Sequence, residues 1–379
     1  MKQEQVFTNA RIVLANEIVD GTVVVCDGRI GEISSGRSRA GEDFDGDFLL
    51  PGCVELHTDH LETHLQPRPK VRWNLDAALH AHDGQIATSG ITTVFDALRV
   101  GLEGDTEFGA EEMSAMAETI ASACAEGRLR ADHFIHLRCE VSVSDVVDHF
   151  DAIAGNDRVR LASLMDHAPG QRQFVSMEAY RIYYQGKKKL SDAEFKAYSQ
   201  RRIAESEANS DRNRRLIADR CTRLGIAMAS HDDATAAHVE ESVALGVALA
   251  EFPTTIEAAK LSRQAGLQVL MGAPNVVRGG SHSGNVSALD LLKADALDIL
   301  SSDYVPFSLV QAAFLLADQG ETDLQSAIRL VSANPADAAG LNDRGRIEIG
   351  RRADLVRAHR AEERPPRVSA VWREGQRVA

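Results

Sequence analysis

Cysteine is scarce, and what there is does not group. The five residues, Cys26, Cys53, Cys124, Cys139 and Cys221, are odd in number, far apart and without a CxxC pair. That excludes a disulfide scaffold and a structural zinc knuckle. Long apolar runs are absent: none approaches the roughly 18 residues of a membrane-spanning helix. Positive charge is in deficit, with 42 Lys and Arg against 56 Asp and Glu. The resulting net charge of −14 argues against nucleic acid or an anionic membrane as partner, since both need a broad positive field. A small anionic substrate fits that charge only through a local cationic site or a bound metal. The N-terminal run MKQEQVFTNARIVLANEIVDG lacks the continuous apolar core of a secretory signal, so the chain reads as cytoplasmic. What remains is an ordinary globular mixture over 379 residues, 44% hydrophobic and 26% charged.

The two ends of the chain resemble each other and differ from the middle. Phe7–Leu14, Ile18–Val25 and Ile30–Ile33 are β-rich runs separated by Asp20-Gly21 and Asp27-Gly28 turns. Arg346–Ile349, Ala353–Val356 and Val368–Trp372 are strand-like near the other end. Neither end has enough apolar surface to stand alone, which predicts one small composite β domain from residues 1–50 and 343–379. Over residues 51–342, short apolar strands alternate with helical stretches, the pattern of βα units around a parallel sheet. Eight strands are predicted: Leu49–Leu56, Thr92–Ala97, His133–Glu140, Val159–Met165, Ile226–Ser230, Gly246–Glu251, Gln268–Gly272 and Asp298–Ser302. Met113, Met116, Ala117, Ile120, Ala121 and Cys124 recur at helical spacing. Ser191-x-x-Glu194 and Thr254-x-x-Glu257 read as capping boxes, and Pro306 suits a first helical turn. Residues 171–224 form a charged helical insertion after the fourth strand. The expected fold is α/β: a (β/α)8 barrel of the TIM type with a small composite β domain.

Active sites of such barrels lie at the C-terminal strand ends. His57 and Asp59, two apart at the end of the first strand, face one side if the strand is regular. Further on, the third strand stops at Glu140, the fourth at Asp166-His167, the fifth at His231-Asp232-Asp233 and the eighth at Asp303. Singly, each has an ordinary structural explanation: a histidine capping a strand, Asp303 as a helix N-cap, Glu140 as a surface charge. Together they put imidazole or carboxylate at five of eight predicted ends, and mixed N/O donors suit zinc or manganese. His80, His82 and His238 read as surface residues.

The run Leu50-Pro51-Gly52-x-x-Glu55-Leu56-His57-Thr58-Asp59 resembles the first-strand metal motif of the amidohydrolase superfamily. Longer segments resemble its triphosphate diphosphatase branch from the carbon–phosphorus lyase pathway of phosphonate use. They include Met165-Asp166-His167-Ala168-Pro169-Gly170-Gln171-Arg172, Glu251-Phe252-Pro253-Thr254-Thr255, and Arg278-Gly279-Gly280-Ser281-His282-Ser283-Gly284-Asn285. The resemblance runs in order from about residue 5 to residue 375. It implies a metal centre of His57, Asp59, Glu140, His167, His231 and Asp303. The ion is divalent, zinc first and manganese second, with one or two bound. Asp59 stands where the superfamily more often has histidine, and Asp303 matches its proton shuttle. The implied reaction is hydrolysis of a phosphonylated ribose 5-triphosphate: hydroxide on the metal attacks the α-phosphorus and diphosphate leaves. Arg172, Lys188, Arg278, Gly279, Gly280, Ser281 and His282 are the candidate contacts to this small anionic sugar. The lysine run at 187–189 reads equally as a solvated loop; for the Gly-Gly-Ser segment a plain turn is the lesser reading. A cyclic amide hydrolase of the same superfamily is the alternative enzyme, and a barrel-type scaffold subunit the non-enzymatic one. The oligomeric state stays open, a homo-oligomer included.

Overall fold

The computed structural model describes residues 4–101, 108–172, 180–181, 185, 190–281, 284–362 and 364–379. The chain opens with β1 (Glu4–Val13), β2 (Ile18–Cys26), β3 (Arg29–Ser35), β4 (Glu42–Asp43) and β5 (Phe48–Pro51). Then come β6 (Cys53–Thr58), β7 (Ile91–Val100), β8 (Asp132–Glu140), β9 (Val159–Met165), β10 (Ala227–His231), β11 (Leu249–Glu251), β12 (Gln268–Gly272) and β13 (Ile299–Ser301). It closes with β14 (Leu355–His359), β15 (Arg367–Arg373) and β16 (Gln376–Arg377).

The end strands share one sheet, in the order β16-β15-β14-β5-β1-β2-β3 with β4 beside β1. Antiparallel pairing of β14 with β5 joins the two ends, Leu355 opposite Pro51. Phe7, Phe44 and Trp372 fill the shared core with ring centroids 4.8 to 5.9 Å apart. The core therefore needs both ends of the chain. Below it, Arg344 and Arg352 both reach Asp132 Oδ2 at 2.7 Å, tying the closing segment to the start of β8.

Strands β6 to β13 run parallel and in sequence order, with helices between them. The outer strands of this sheet meet through side chains and loops. Asp303 N–H donates to His57 O at 3.1 Å, and Ser301 Oγ lies 2.7 Å from the same oxygen. The barrel is thus nearly closed, and its seam sits at the candidate site. Side chains alternate along each strand. Phe95, Phe134, Leu161, Ala229, Leu249, Leu270 and Ile299 form an apolar layer inside the barrel. Their strand neighbours, such as Val94, Ile135, Ala162, Met228 and Leu300, pack outward against the helices. Two to six residues beyond the inner layer, the inward positions turn polar: His136, Arg138, Glu140, His231, Glu251 and Ser301.

Local departures from the expected elements have local causes. The expected strand Leu49–Leu56 is two strands in different sheets, divided at Gly52. A Cβ at Gly52 would overlap the Thr92 side chain, so the crossing requires glycine. Arg346–Ile349 alternates like a strand but forms none: Ile347 is buried, whereas Ile349 is 63% exposed. Its backbone turns instead, Arg351 N–H donating to Glu348 O at 3.1 Å. Ser191 and Glu194 do form a capping box, on the 33-residue helix Asp192–Leu224 that ends at Gly225 with φ 68°. The other cap shifts by one residue, to Thr255, and Pro306 lies just ahead of helix Ser308–Asp318. Among the described residues no helix is long and apolar enough to cross a membrane.

Candidate active site

A single buried carboxylate organises the deepest polar layer. Glu251 Oε1 lies 3.3 Å from His57 Nδ1, and Glu251 Oε2 lies 3.3 Å from His231 Nδ1. An ionised carboxylate only accepts, so both imidazoles donate from Nδ1 and keep a lone pair on Nε2. Their rings stack with centroids 5.8 Å apart and 23° between planes. His136 Nδ1 donates to Leu56 O at 2.9 Å, which leaves its Nε2 with the lone pair. That atom is buried and has no hydrogen-bond partner among the described residues. Burial pushes His57, His136 and His231 down to about 3, so all three are neutral donors.

A second group lies toward the mouth. His167 is gripped by Glu140: its Nδ1 meets Oε2 at 2.6 Å and its backbone N–H meets Oε1 at 3.0 Å. The other ring nitrogen faces Asp232. Asp232 Oδ2 is 3.8 Å from His167 Nε2 and 3.5 Å from His231 Nε2, and it too is buried without a hydrogen-bond partner among the described residues. Burial pushes the Asp232 carboxyl up to about 6, against the pull of His167 and Arg138. Two lone pairs and an orphaned carboxylate oxygen around one point fit a divalent cation, whose ligands sit about 2.0–2.2 Å from it.

Asp303 completes the ring at the seam. Its backbone is left-handed, φ 53°, and its carbonyl accepts from Thr58 Oγ1 at 2.7 Å. Burial and the charge of Asp59 push its carboxyl up to about 7, opposed by Arg138. Beneath it, Glu55 accepts from His57 N–H at 2.6 Å and from Ser301 Oγ at 2.7 Å, so one carboxylate braces the first and last barrel strands.

Of the residues expected to bind metal, His57, His167 and His231 belong to these groups, and Asp303 is held beside His57. Asp59 is not brought to the same point as His57. A register shift between Glu55 and Thr58 breaks the regular alternation, and Asp59 Oδ2 pairs with Arg138 Nη1 at 3.0 Å. Glu140 spends its oxygens on His167 and on Ser142 Oγ at 2.8 Å. The expected phosphate contacts are dispersed. Arg172 is buried, 3% exposed, and paired with Asp233 and Glu241. The N–H groups of Gly279 and Gly280 turn back to the carbonyls of Val276 and Asn275, ending helix Ala273–Arg278 instead of cradling an anion. Arg278 is exposed and meets the Tyr304 hydroxyl at 3.4 Å, with Ser281 partly buried three residues on. Lys188 and His282 lie outside the described residues.

Sequence reasoning missed His136 and Glu251, and it named Asp232 at the fifth strand end without choosing it as a ligand. The same rule that found the others, a titratable residue ending an apolar strand, applies to Glu251 and to Asp232 beside His231. His136 was hidden inside β8, four residues before Glu140 on the same face. His82, read from the sequence as a surface residue, is fully buried on the barrel's outer side. Its Nε2 meets Asp96 Oδ1 at 2.7 Å, and Asp96 Oδ2 meets His133 Nδ1 at 2.7 Å. His133 Nε2 meets Asp83 Oδ1 at 3.3 Å. Burial pulls His133 down, but Asp96 and Asp83 outweigh it and hold the ring up at about 9.

A parallel barrel whose strand ends converge neutral imidazoles and unpaired carboxylate oxygens defines a class, the metal-dependent hydrolase barrels. The model of the amidohydrolase family matches residues 86–379, and the chain belongs to that family. It is 48% identical over 377 residues to α-D-ribose 1-methylphosphonate 5-triphosphate diphosphatase of Escherichia coli (strain K12), covering 98% of this chain and 100% of that protein. Among solved structures, N-acetylglucosamine-6-phosphate deacetylase from Pasteurella multocida matches with a TM-score of 0.66 at 12% identity, over 99% of both chains. The 5-methylcytosine deaminase from Klebsiella pneumoniae matches with a TM-score of 0.65 at 14% identity, over 99% of this chain and 98% of that one. At such identities these two likenesses speak for the fold alone.

Proposed function

We propose that this hydrolase cleaves α-D-ribose 1-methylphosphonate 5-triphosphate to α-D-ribose 1-methylphosphonate 5-phosphate and diphosphate, in phosphonate breakdown. The observation that carries the reading is end-to-end similarity to the diphosphatase, 48% over 98% of the chain. The geometry supports it with a site suited to hydrolysis. His231, His167 and Asp232 hold a divalent cation, with His57 and His136 beside them; an all-imidazole and carboxylate donor set favours zinc. A cation held there supplies Lewis acidity and lowers the pKa of water in its sphere.

The chain's own residues do the rest. Glu251 fixes the tautomers of His57 and His231, and Glu140 does the same for His167. In this reading Glu140 is a holder of the ligand His167, and Asp59 is a partner of Arg138. Asp303 takes the proton of the attacking water; burial and the charge of Asp59 raise its proton affinity above that of a free carboxylate. The water oxygen bonds to the α-phosphorus, the bond from that phosphorus to the bridging oxygen breaks, and diphosphate leaves. Arg138, and Arg99 at 3.4 Å from Glu140, provide positive charge at the mouth for so anionic a substrate.

Hydrolysis in 18O-labelled water tests the bond cleaved. Attack at the α-phosphorus places the label in the ribose 5-phosphate product; label in the diphosphate contradicts it. Opening of hydantoin or dihydroorotate in place of triphosphate cleavage would move the chain to the cyclic amide branch.

A further inference from the structure

Between the short helix Leu61–Leu65 and the helix Leu75–Thr88 lies a third histidine group that the reaction does not use. His60 and His64 are four residues apart, the first at the N-cap of the short helix and the second in its last turn, and side chains at that spacing share a face. His82 and Gln85 are three apart on the longer helix. Ring centroids are 5.2 Å apart for His60 and His64, 5.9 Å for His64 and His82, and 6.3 Å for His60 and His82. His60 Nε2 and His64 Nε2 converge on one atom, Gln85 Oε1, at 3.1 and 3.0 Å.

We infer that His60, His64 and His82 form a second site for an imidazole-seeking divalent cation of the zinc, cobalt and nickel class. Three imidazoles on one tetrahedral ion, with metal–nitrogen bonds of about 2.1 Å, hold their ring centroids about 5 Å apart. One pair already has that spacing, and the other two need to close by about 1 Å. His60 and His64 are only partly buried, so their side chains can rotate inward and an ion can enter between them. His82 is fully buried and already oriented: Asp96 holds its Nε2 at 2.7 Å. A carboxylate behind a ligand imidazole is the usual support for a metal bond. The remaining nitrogen, His82 Nδ1, is buried without a hydrogen-bond partner among the described residues, and an unmet buried polar atom is costly. An ion here ties the segment after β6, which carries Asp59, to the helix Leu75–Thr88.

The test uses full-length protein stripped with a chelator and titrated with Co2+, with metal content measured by elemental analysis. Wild type binds one equivalent more than His64→Ala, or binds that equivalent at least tenfold more tightly. His64→Cys restores the binding and adds a thiolate-to-cobalt charge-transfer band. Equal stoichiometry and affinity in wild type and His64→Ala, or a His64→Cys protein that binds cobalt without that band, would overturn the site.

Discussion

One barrel buries two histidine clusters on opposite sides of its wall, and they have opposite electrostatic fates. On the inner face, His57, His136 and His231 are neutral, and burial holds them down at about 3. On the outer face, His133 lies between Asp96 and Asp83 and is held up at about 9. His133 and His136 belong to one strand, β8, and differ by three residues, hence by the parity that decides which face they take. Burial alone therefore says nothing about function. The partners do: the outer imidazole has a carboxylate on each nitrogen and closes an internal ion pair, whereas the inner imidazoles have one nitrogen held and the other left with a lone pair. The outer cluster fastens a helix to the barrel; the inner one leaves imidazole lone pairs available, a candidate ligand set.

Substitutions separate the two clusters. The largest effect is expected for Asp303→Asn, which keeps the hydrogen-bonding shape of the seam but cannot take a proton. Turnover falls by about 10²–10⁴-fold with metal content unchanged, read by initial rates beside elemental analysis. Retained activity in that variant removes Asp303 from the reaction. Asp96→Ala, on the outer face, removes one of the two carboxylates on the buried His133 and the partner of His82, and costs about 3–5 kcal/mol in urea unfolding. Its metal uptake at the strand ends stays intact; a parallel loss there would mean the clusters are not independent. Glu251→Gln keeps one acceptor and replaces the other with a donor, so only one of His57 and His231 retains its tautomer. Metal affinity drops about 10–100-fold in a competition titration, with the fold unaffected. The mildest effect concerns pH. Because the folded pKa of His133 is raised above its unfolded value, the stability it adds is complete below about pH 6.5 and fades as pH rises through about 9. Unfolding free energy of the wild type declines across that window, and that of His133→Gln is lower but flatter. Equal slopes would show that His133 is not charged in the folded protein.

Much of this was legible in the chain. Eight apolar runs marked the barrel strands, and the paired β segments at the two ends marked the shared sheet, because both patterns rest on local periodicity. The break at Gly52 was not, since it depends on Thr92 standing across from it. Arg346–Ile349 misled because alternation by itself does not supply a neighbouring strand to pair with. At the site, strand-end histidines were visible by position, but the register break between Glu55 and Thr58, beyond which Asp59 pairs with Arg138, has no sequence signature. Glu140 stood at a strand end like the ligands do; only its contacts show that its oxygens serve His167. Gly279 and Gly280 had the composition of an anion cradle, yet their N–H groups are already taken by the helix they terminate.

The most direct measurement is phosphorus NMR of the metal-loaded protein with α-D-ribose 1-methylphosphonate 5-triphosphate. The account predicts loss of the triphosphate resonances and matched growth of diphosphate and 5-phosphate signals, abolished by chelation and restored by zinc. An unchanged spectrum with metal bound at the strand ends, or release of orthophosphate in place of diphosphate, would contradict it.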